Sequence, residues 1–172
     1  MIGRVLFVLC WLGAEGNTIA TELEHSRLTM KGLGPLRIGM TEKDVRRLNL
    51  SFREQFPPAG DPDSLACNIV MVGKDPGVRV MFENHVLTRI ESGKNRHMKT
   101  MSGVQIGMTE RNVKRIVGPR LRVEHHFYTD GHYLKLFSKD GFYAIVFETD
   151  GNRVTNMLSG RKESAQYVEG CE

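Results

Sequence analysis

The chain has 172 residues, of which 40% are hydrophobic and 26% are charged, and this length suits one ordinary domain or two very small ones. The composition excludes wholesale disorder and a protein with several membrane spans. The net charge of +4 falls short of the clustered basic surface that nucleic-acid binding needs, so we expect no nucleic-acid partner.

The first 20 residues predict a secretory signal peptide. Arg4 supplies a positive start, the apolar run 5–12 follows it, and small residues come next as possible cleavage sites. The apolar run is too short to cross a bilayer of roughly 30 Å as a helix. A lipoprotein anchor at Cys10 is disfavoured by the bulky residues before it. We therefore expect a periplasmic or secreted protein without stable membrane insertion.

Two cysteines remain after the predicted signal peptide, Cys67 and Cys171. In an oxidising compartment an isolated pair most economically forms one disulfide bond. This bond would tie the C-terminal tail, residues 163–172, to the middle of the chain. The closed loop has about a hundred residues, and the chain-entropy model gives such a closure roughly 4–5 kcal/mol.

A thirteen-residue motif occurs twice, at Leu36–Leu48 and at Val104–Ile116, with seven identical positions. A second pair of similar segments follows in the same order, Val78–Gly93 and Ala144–Gly160. Two blocks in a shared order indicate an internal repeat. We predict the two repeats as residues 31–95 and 99–162.

Each copy of the motif predicts the start of a helix. Thr41 is placed as an N-cap, and Asp44 three residues later completes a capping box. Thr109 and Asn112 repeat this arrangement in the second copy. Every repeated residue therefore has a structural role, which argues against a catalytic signature.

Alternating apolar and polar residues predict strands after each helix, and Asp-Gly pairs predict the hairpin turns. Repeat 1 is predicted to have three strands, near residues 67–72, 78–83 and 86–92. Repeat 2 is predicted to have four, near residues 121–128, 132–138, 142–148 and 153–159. The predicted fold class is α+β, with two tandem helix-plus-antiparallel-meander repeats whose helices pack on one face of antiparallel sheet.

The pattern I-G-M-T-x-x-D/N-V, at Ile38–Val45 and Ile106–Val113, resembles the repeat of the SmpA/OmlA (BamE-like) and β-lactamase-inhibitor-protein-like group. Members of that group are small exported bacterial proteins with helices on one face of an antiparallel sheet. The tandem arrangement is more similar to the two-copy inhibitor layout, and the ending Tyr167–Cys171 is similar to that of exported proteins with a terminal cysteine. The resemblance implies non-catalytic protein binding, either inhibitory or in envelope assembly.

Three histidines, His125, His126 and His132, lie near Asp130 and are the candidate metal ligands. Adjacent histidines on a strand point to opposite faces, so His125 and His126 cannot easily share one ion. Zinc needs three or four ligands. We therefore expect no metal and no cofactor, and the alternative function is a small secreted hydrolase that uses these histidines.

Catalytic motifs are absent from the sequence. No nucleophile elbow, phosphate-binding glycine loop or His-Glu-x-x-His helix occurs. Glu83 and Glu148 occupy matching positions before turns, and we interpret them as solubilising strand ends rather than as an acid/base pair. The sequence therefore predicts a non-enzymatic protein.

The second meander is the predicted binding surface for another protein. Its strands carry apolar residues on both faces, which indicates a face covered by a partner or by a second copy of the chain. The oligomeric state therefore stays open, and strand periodicity does not say which aromatic residues are exposed. The predicted partner-binding residues are the aromatic Phe127, Tyr128, Tyr133 and Phe142, and the turn residues Asp130, Asp140 and Asp150.

Titration of the mature protein with a thiol reagent tests the predicted disulfide. We expect no reactive thiol without reductant and two after reduction, because both cysteines are paired in the oxidised protein. Two reactive thiols in the unreduced, denatured protein would contradict the bond.

Overall fold

The computed structural model describes residue 23 and residues 26–57, 61–74, 76–93 and 95–171. The predicted signal peptide, residues 1–20, lies outside the described residues. In the described part of the chain, no helix combines the length and the apolar character that a membrane span requires.

Most of the regular structure is β-strand. In chain order the strands are β1 (Arg27–Thr29), β2 (Gly32–Leu33), β3 (Leu36–Arg37), β4 (Phe52–Phe56), β5 (Cys67–Val72), β6 (Val78–Glu83), β7 (Val86–Glu91), β8 (Lys99–Thr100), β9 (Arg122–His125), β10 (His132–Phe137), β11 (Tyr143–Thr149) and β12 (Val154–Arg161). The helical segments are α1 (Glu42–Arg46), α2 (Glu110–Val117) and short 3₁₀ turns at Pro62–Leu65, Gly118–Arg120 and Ser164–Gln166.

The strands form two sheets. The large sheet has eight antiparallel strands in the order β4-β5-β6-β7-β12-β11-β10-β9. The sheet therefore consists of two meanders, β4 to β7 and β9 to β12, which meet at its centre. There β7 pairs with β12, and the register places Leu158 opposite Glu91, Ser159 opposite Ile90 and Gly160 opposite Arg89. The small sheet has the order β3-β2-β1-β8, with β1 and β8 parallel and the other pairs antiparallel.

The predicted fold class, α+β with two tandem helix-plus-antiparallel-meander repeats, is wrong. The protein is mostly β, and its strands form one eight-stranded sheet and a mixed four-stranded sheet instead of repeats that each carry a helix layer. The motif at Thr41 is followed by a single helical turn of five residues, and among the helices of the described residues only α2 reaches eight. The turn stops soon after Arg46 because Asn49 has a positive φ of 52°, which a continuing helix does not allow. An N-cap signal predicts where a helix begins and says nothing of its length.

The predicted helix starts are present. Thr41 Oγ1 accepts a hydrogen bond from Asp44 N at 3.2 Å, and Asp44 Oδ2 accepts one from Thr41 N at 3.3 Å, which is the predicted capping box. At Thr109 the hydroxyl accepts from Asn112 N at 3.4 Å, without the return bond. These caps satisfy amides that have no partner within the helix.

The repeated motif also attaches each helix start to a central strand. The amide of Gly39 donates to Leu87 O on β7 at 2.8 Å, and the amide of Gly107 donates to Val154 O on β12 at 2.8 Å. Both glycines have positive φ, 97° and 85°, so the chain turns sharply between strand pairing and helix. The motif thus docks two helix starts onto the two strands that join the meanders.

The first face of the large sheet carries the main core. Fully buried Phe82, Ile90, Phe147 and Met157 lie in one cluster with Val45 and Val113 of the helices and with the leucines of the small sheet. Burying these side chains contributes roughly 1.5–3 kcal/mol each relative to exposure. The helices and the small sheet together therefore form the cover of this face.

The second face is covered in part by the chain's own C-terminal segment, residues 162–171, which we call the strap. Ala165 of the strap packs in a cluster with Ala144, Val146 and Leu158. The predicted disulfide is confirmed: Cys171 at the end of the strap is bonded to Cys67 at the start of β5, with Cα atoms 5.5 Å apart. The strap thus explains why the second face of the sheet is apolar as well as the first.

Seven of the predicted strands overlap β5, β6, β7 and β9 to β12. The prediction missed β4, whose sequence Phe-Arg-Glu-Gln-Phe has polar residues at its three central positions. It also missed β1, β2, β3 and β8, which have only two or three residues each. Such short strands are stabilised by their neighbours and leave no periodic pattern in the sequence.

Gly160→Ala is expected to destabilise the protein by about 2 kcal/mol or more, because a Cβ at this position would lie 2.0 Å from Thr88 O across the central pair and push β7 from β12. Urea denaturation measures the free energy of unfolding. The control is Arg111→Ala at an exposed position of α2, expected within about 0.5 kcal/mol of the parent. Equal stability of the Gly160 variant and the parent would contradict the close approach.

Candidate functional site

The predicted contact residues lie at two opposite ends of the large sheet. Phe127 and Phe142 are 75% and 69% exposed, and the first is in the loop between β9 and β10 while the second is in the turn between β10 and β11. A Cβ on Gly151 would lie 3.1 Å from Asp130 O, so the β11–β12 turn adjoins the β9–β10 loop. One end therefore holds Phe127, Tyr128, Asp130 and Asp150, and the other holds Asp140 and Phe142.

Two of the predicted aspartates form turns. Asp140 Oδ1 accepts hydrogen bonds from Ser138 Oγ at 2.5 Å and from Phe142 N at 3.1 Å, and these bonds lower the pKa of Asp140. Asp150 Oδ1 accepts from Arg153 N at 2.7 Å and from Asn152 N at 2.9 Å, which lowers its pKa in the same way. Their carboxylates are engaged in shaping the hairpins.

Tyr133 is only 8% exposed, in contrast to Phe127 and Tyr128. It lies on the second face of the sheet, and its ring stacks on His126 with centroids 4.5 Å apart. Tyr133 therefore forms a wall beside the loop and does not project from it.

A small cleft of about 190 Å³ lies between the second face, the β9–β10 loop and the strap. We call it the strap cleft. Its lining includes the charged side chains of Glu124, Lys135 and Glu148 and the aromatic side chains of Phe127, Tyr133 and Tyr167. Residues from three strands, one loop and the strap meet here, and no single sequence motif contains them.

The charges in the strap cleft follow from strand register. Tyr133 pairs with Glu124 on β9 and with Glu148 on β11, so a carboxylate lies on each side of the tyrosine. Lys135 Nζ contacts Glu124 Oε2 at 2.6 Å, and Asn156 Nδ2 donates to Glu148 Oε2 at 3.1 Å. Lys135 therefore compensates the charge of Glu124, whereas Glu148 has no ion-pair partner among the described residues.

The hydroxyl of Tyr133 is buried in this wall. It makes no hydrogen bond of ordinary geometry with the described residues, although the Phe127 backbone lies near it. Burial raises the pKa of the Tyr133 phenol, and the charge of Glu148 raises it further. The phenol is therefore neutral at physiological pH, with unused hydrogen-bonding capacity.

The strap is held over the sheet by two charged residues. Arg89 Nη1 donates to Ser164 O at 3.0 Å and to Tyr167 O at 3.2 Å. Glu83 accepts from Ser164 Oγ at 2.5 Å and from Tyr167 Oη at 3.2 Å. The sequence suggested that Glu83 only solubilises a strand end, whereas the structure gives it the role of an anchor that positions Tyr167 at the strap cleft.

The three histidines do not converge on one point. His132 Nδ1 lies 2.7 Å from Glu110 Oε1 of α2, the His125 and His132 rings are 5.5 Å apart, and His126 stacks on Tyr133. Within the described ranges, no group of three or more His, Cys, Asp or Glu residues is placed to hold a metal ion.

No family model, curated protein or solved structure matches the chain. The resemblance of the repeated motif to the BamE-like and inhibitor-like group therefore stays a prediction. The strap cleft and the exposed loop beside it combine a depression, charge and accessible aromatic rings, and together they form the candidate site.

The pKa of Glu83 sets the pH dependence of the strap attachment. Burial alone would raise this pKa, but hydrogen bonds from Ser164, Thr88 and Tyr167 outweigh burial and lower it below the ordinary value of 4.5. A carboxylate with a depressed pKa in the folded state stabilises the fold above its unfolded pKa, and this stabilisation is lost as the pH falls through the folded pKa.

Glu83→Gln is therefore expected to lower the free energy of unfolding at neutral pH, with a difference from the parent that shrinks as the pH falls below about 4.5. Urea denaturation at a series of pH values measures it. Glu169→Gln, an exposed position on the strap, is the control and should change the free energy little at neutral pH. A Glu83 difference that stays constant down to acid pH would contradict the assignment.

Proposed function

We propose that this chain is an exported, non-enzymatic module that binds another protein at the end of the sheet where β9, the β9–β10 loop and the strap cleft meet. The observation that carries this proposal is the exposed aromatic pair Phe127 and Tyr128 beside the strap cleft. Aromatic side chains of this kind are the commonest energetic anchors of protein interfaces.

The aromatic pair is held in a defined geometry. The two rings meet edge to face with centroids 4.9 Å apart. His126 N donates to Gly131 O at 2.9 Å, and Tyr128 N donates to His126 Nδ1 at 3.1 Å. A loop that is ordered before binding loses less conformational entropy when a partner docks.

Strand β9 adds an open edge to the same surface. It is the last strand of the large sheet, β10 is its only strand partner among the described residues, and all four of its residues are exposed. An edge strand of this kind can accept a strand from another chain through backbone hydrogen bonds. Its charged residues, Arg122 and Glu124, limit unspecific pairing.

Other exposed apolar residues support a contact surface less well. Phe142 lies at the far end of the sheet, and Phe56, Leu65 and Met101 lie on other segments. Single exposed apolar side chains are common on protein surfaces and need no function. At the strap cleft, by contrast, Phe127 lines one depression together with Tyr167 and Val168.

Export is supported by the disulfide between Cys67 and Cys171, since such bonds persist in oxidising compartments. The predicted signal peptide agrees with a periplasmic or secreted location. The resemblance of the repeated motif to the BamE-like and inhibitor-like group adds the proposal that binding is inhibitory or serves envelope assembly.

A binding role is favoured over the hydrolase alternative by the positions of the histidines. His132 pairs with Glu110, whose Oε1 also accepts from Thr149 Oγ1 at 2.6 Å. His126 packs against Tyr133. Each of these two side chains is engaged in linking elements of the fold, which argues for a structural role.

Capture from the envelope and secreted fractions of the source cells tests the proposed function, with the mature, disulfide-bonded protein immobilised. We expect the double variant Phe127→Ala/Tyr128→Ala to weaken the Kd of the captured protein, once purified, by at least about tenfold, because truncated aromatic anchors cost on the order of 2 kcal/mol. Calorimetry measures the Kd.

Phe142→Ala is the matched control, because this phenylalanine is similarly exposed but lies at the opposite end of the sheet. It should leave the Kd within about twofold of the parent. Equal binding by the double variant and the parent would contradict a contact surface at the β9–β10 loop.

A further inference from the structure

We infer that the strap cleft receives one lysine or arginine side chain of the bound protein. This inference rests on the proposed function and adds the chemistry of the partner's contact group. It follows from the size of the strap cleft, its charge, its unused carboxylate oxygen and its aromatic walls.

The size of the strap cleft suits a single side chain. Its volume is about 190 Å³, below the range of roughly 300–1,000 Å³ that pockets for drug-sized ligands and cofactors occupy. Phe127 and Tyr167 line it and are themselves exposed, so the strap cleft opens at the surface proposed for partner binding. A long side chain from a docked protein can enter here without displacing the strap.

The charge of the strap cleft selects a cation. Its lining has two carboxylates, Glu124 and Glu148, and one ammonium, Lys135. Lys135 is engaged with Glu124 at 2.6 Å, and its side chain is largely buried, so it does not reach a partner. The charge of Glu148 is left for an incoming cation, in a protein whose net charge is +4. A partner carboxylate would be repelled by the same group.

One acceptor atom in the strap cleft lacks a hydrogen bond from the described residues. Asn156 uses Glu148 Oε2, which leaves Oε1 without a donor in the described part of the chain. The Tyr133 hydroxyl is buried beneath the lining, with the Phe127 backbone near it, so Tyr133 offers an incoming group its ring. Ammonium and guanidinium groups have only donors, so they match Glu148 Oε1.

The aromatic walls add a further attraction. Phe127, Tyr133 and Tyr167 contribute rings to the lining, and a cation near an aromatic face is stabilised by the ring quadrupole. Lys135 Nζ already lies 5.6 Å from the Tyr133 centroid, which shows that this ring tolerates a cation nearby. The arrangement of a carboxylate with aromatic faces therefore favours lysine or arginine over an apolar side chain.

The test is an NMR titration of the mature, disulfide-bonded protein with blocked single amino acids. The probes are N-acetyl-lysine and N-acetyl-arginine methylamides, with the norleucine and glutamate analogues for comparison. We expect saturable shifts at the amides of Glu124, Tyr133 and Glu148 with lysine and arginine, and none with the other two. Saturable shifts with norleucine equal to those with lysine would overturn the inference.

Glu148→Gln is the first variant, because glutamine keeps the acceptor for Asn156 and removes the charge. It should weaken the lysine probe at least about threefold, as expected for an ion pair at a partly buried site. Phe127→Ala should weaken it about two- to fivefold. The control Glu169→Gln removes a charge from an exposed position of the strap outside the strap cleft lining and should leave the affinity unchanged.

The outcomes separate this inference from the proposed function. If lysine and arginine do not bind while capture of a partner still depends on Phe127 and Tyr128, the partner uses no basic side chain and only this inference fails. Sedimentation at the concentrations of the NMR experiment tests whether a second copy of the chain occupies the strap cleft. A dimer that dissociates in Glu148→Gln would identify a second copy of the chain and overturn the partner assignment.

Discussion

The buried ion pair between Arg89 and Glu91 lies where the two meanders meet, and the rest of the second face depends on it. Both residues are on β7, each is 3% exposed, and Arg89 Nη2 lies 2.5 Å from Glu91 Oε1. Arg79 reaches the other carboxylate oxygen at 2.5 Å. Loss of Glu91 would leave Arg89 as an uncompensated buried charge, which costs about 3–5 kcal/mol. Because Arg89 also donates to the strap, the same pair connects sheet pairing to strap position.

The position of the strap determines which residues of the second face are accessible to other molecules. The disulfide fixes its end, and hydrogen bonds to Glu83 and Arg89 fix its middle. Where the strap lies, the apolar residues of β11 and β12 are covered. The strap does not cover β9, and the strap cleft lies between them. The strap cleft has aromatic walls and contains Glu148, a carboxylate without an ion-pair partner among the described residues. The proposed contact surface thus arises at the border between a covered and an uncovered part of one sheet.

Local chemistry explains which features were predictable. The caps at Thr41 and Thr109 and seven of the strands follow from patterns within a few residues, and the disulfide follows from the number of cysteines. The predicted fold class is wrong because a helix start does not set helix length, so two caps do not imply two helix layers. Tyr133 and Phe127, six residues apart, were grouped as contact residues, yet strand pairing buries one and leaves the other exposed.

The positions of the turns, the caps and the paired cysteines can be derived from the sequence, because each depends on neighbouring residues or on a count. Three features appear only in the folded chain: the meanders join through β7 and β12, the strap crosses the second face, and Glu148 lies beside Tyr133 with no ion-pair partner among the described residues. These features depend on residues that are far apart in the chain and are brought together by strand register and by buried charge. The candidate site is therefore formed by the tertiary structure, whereas the repeated motif anchors the two helices to the sheet.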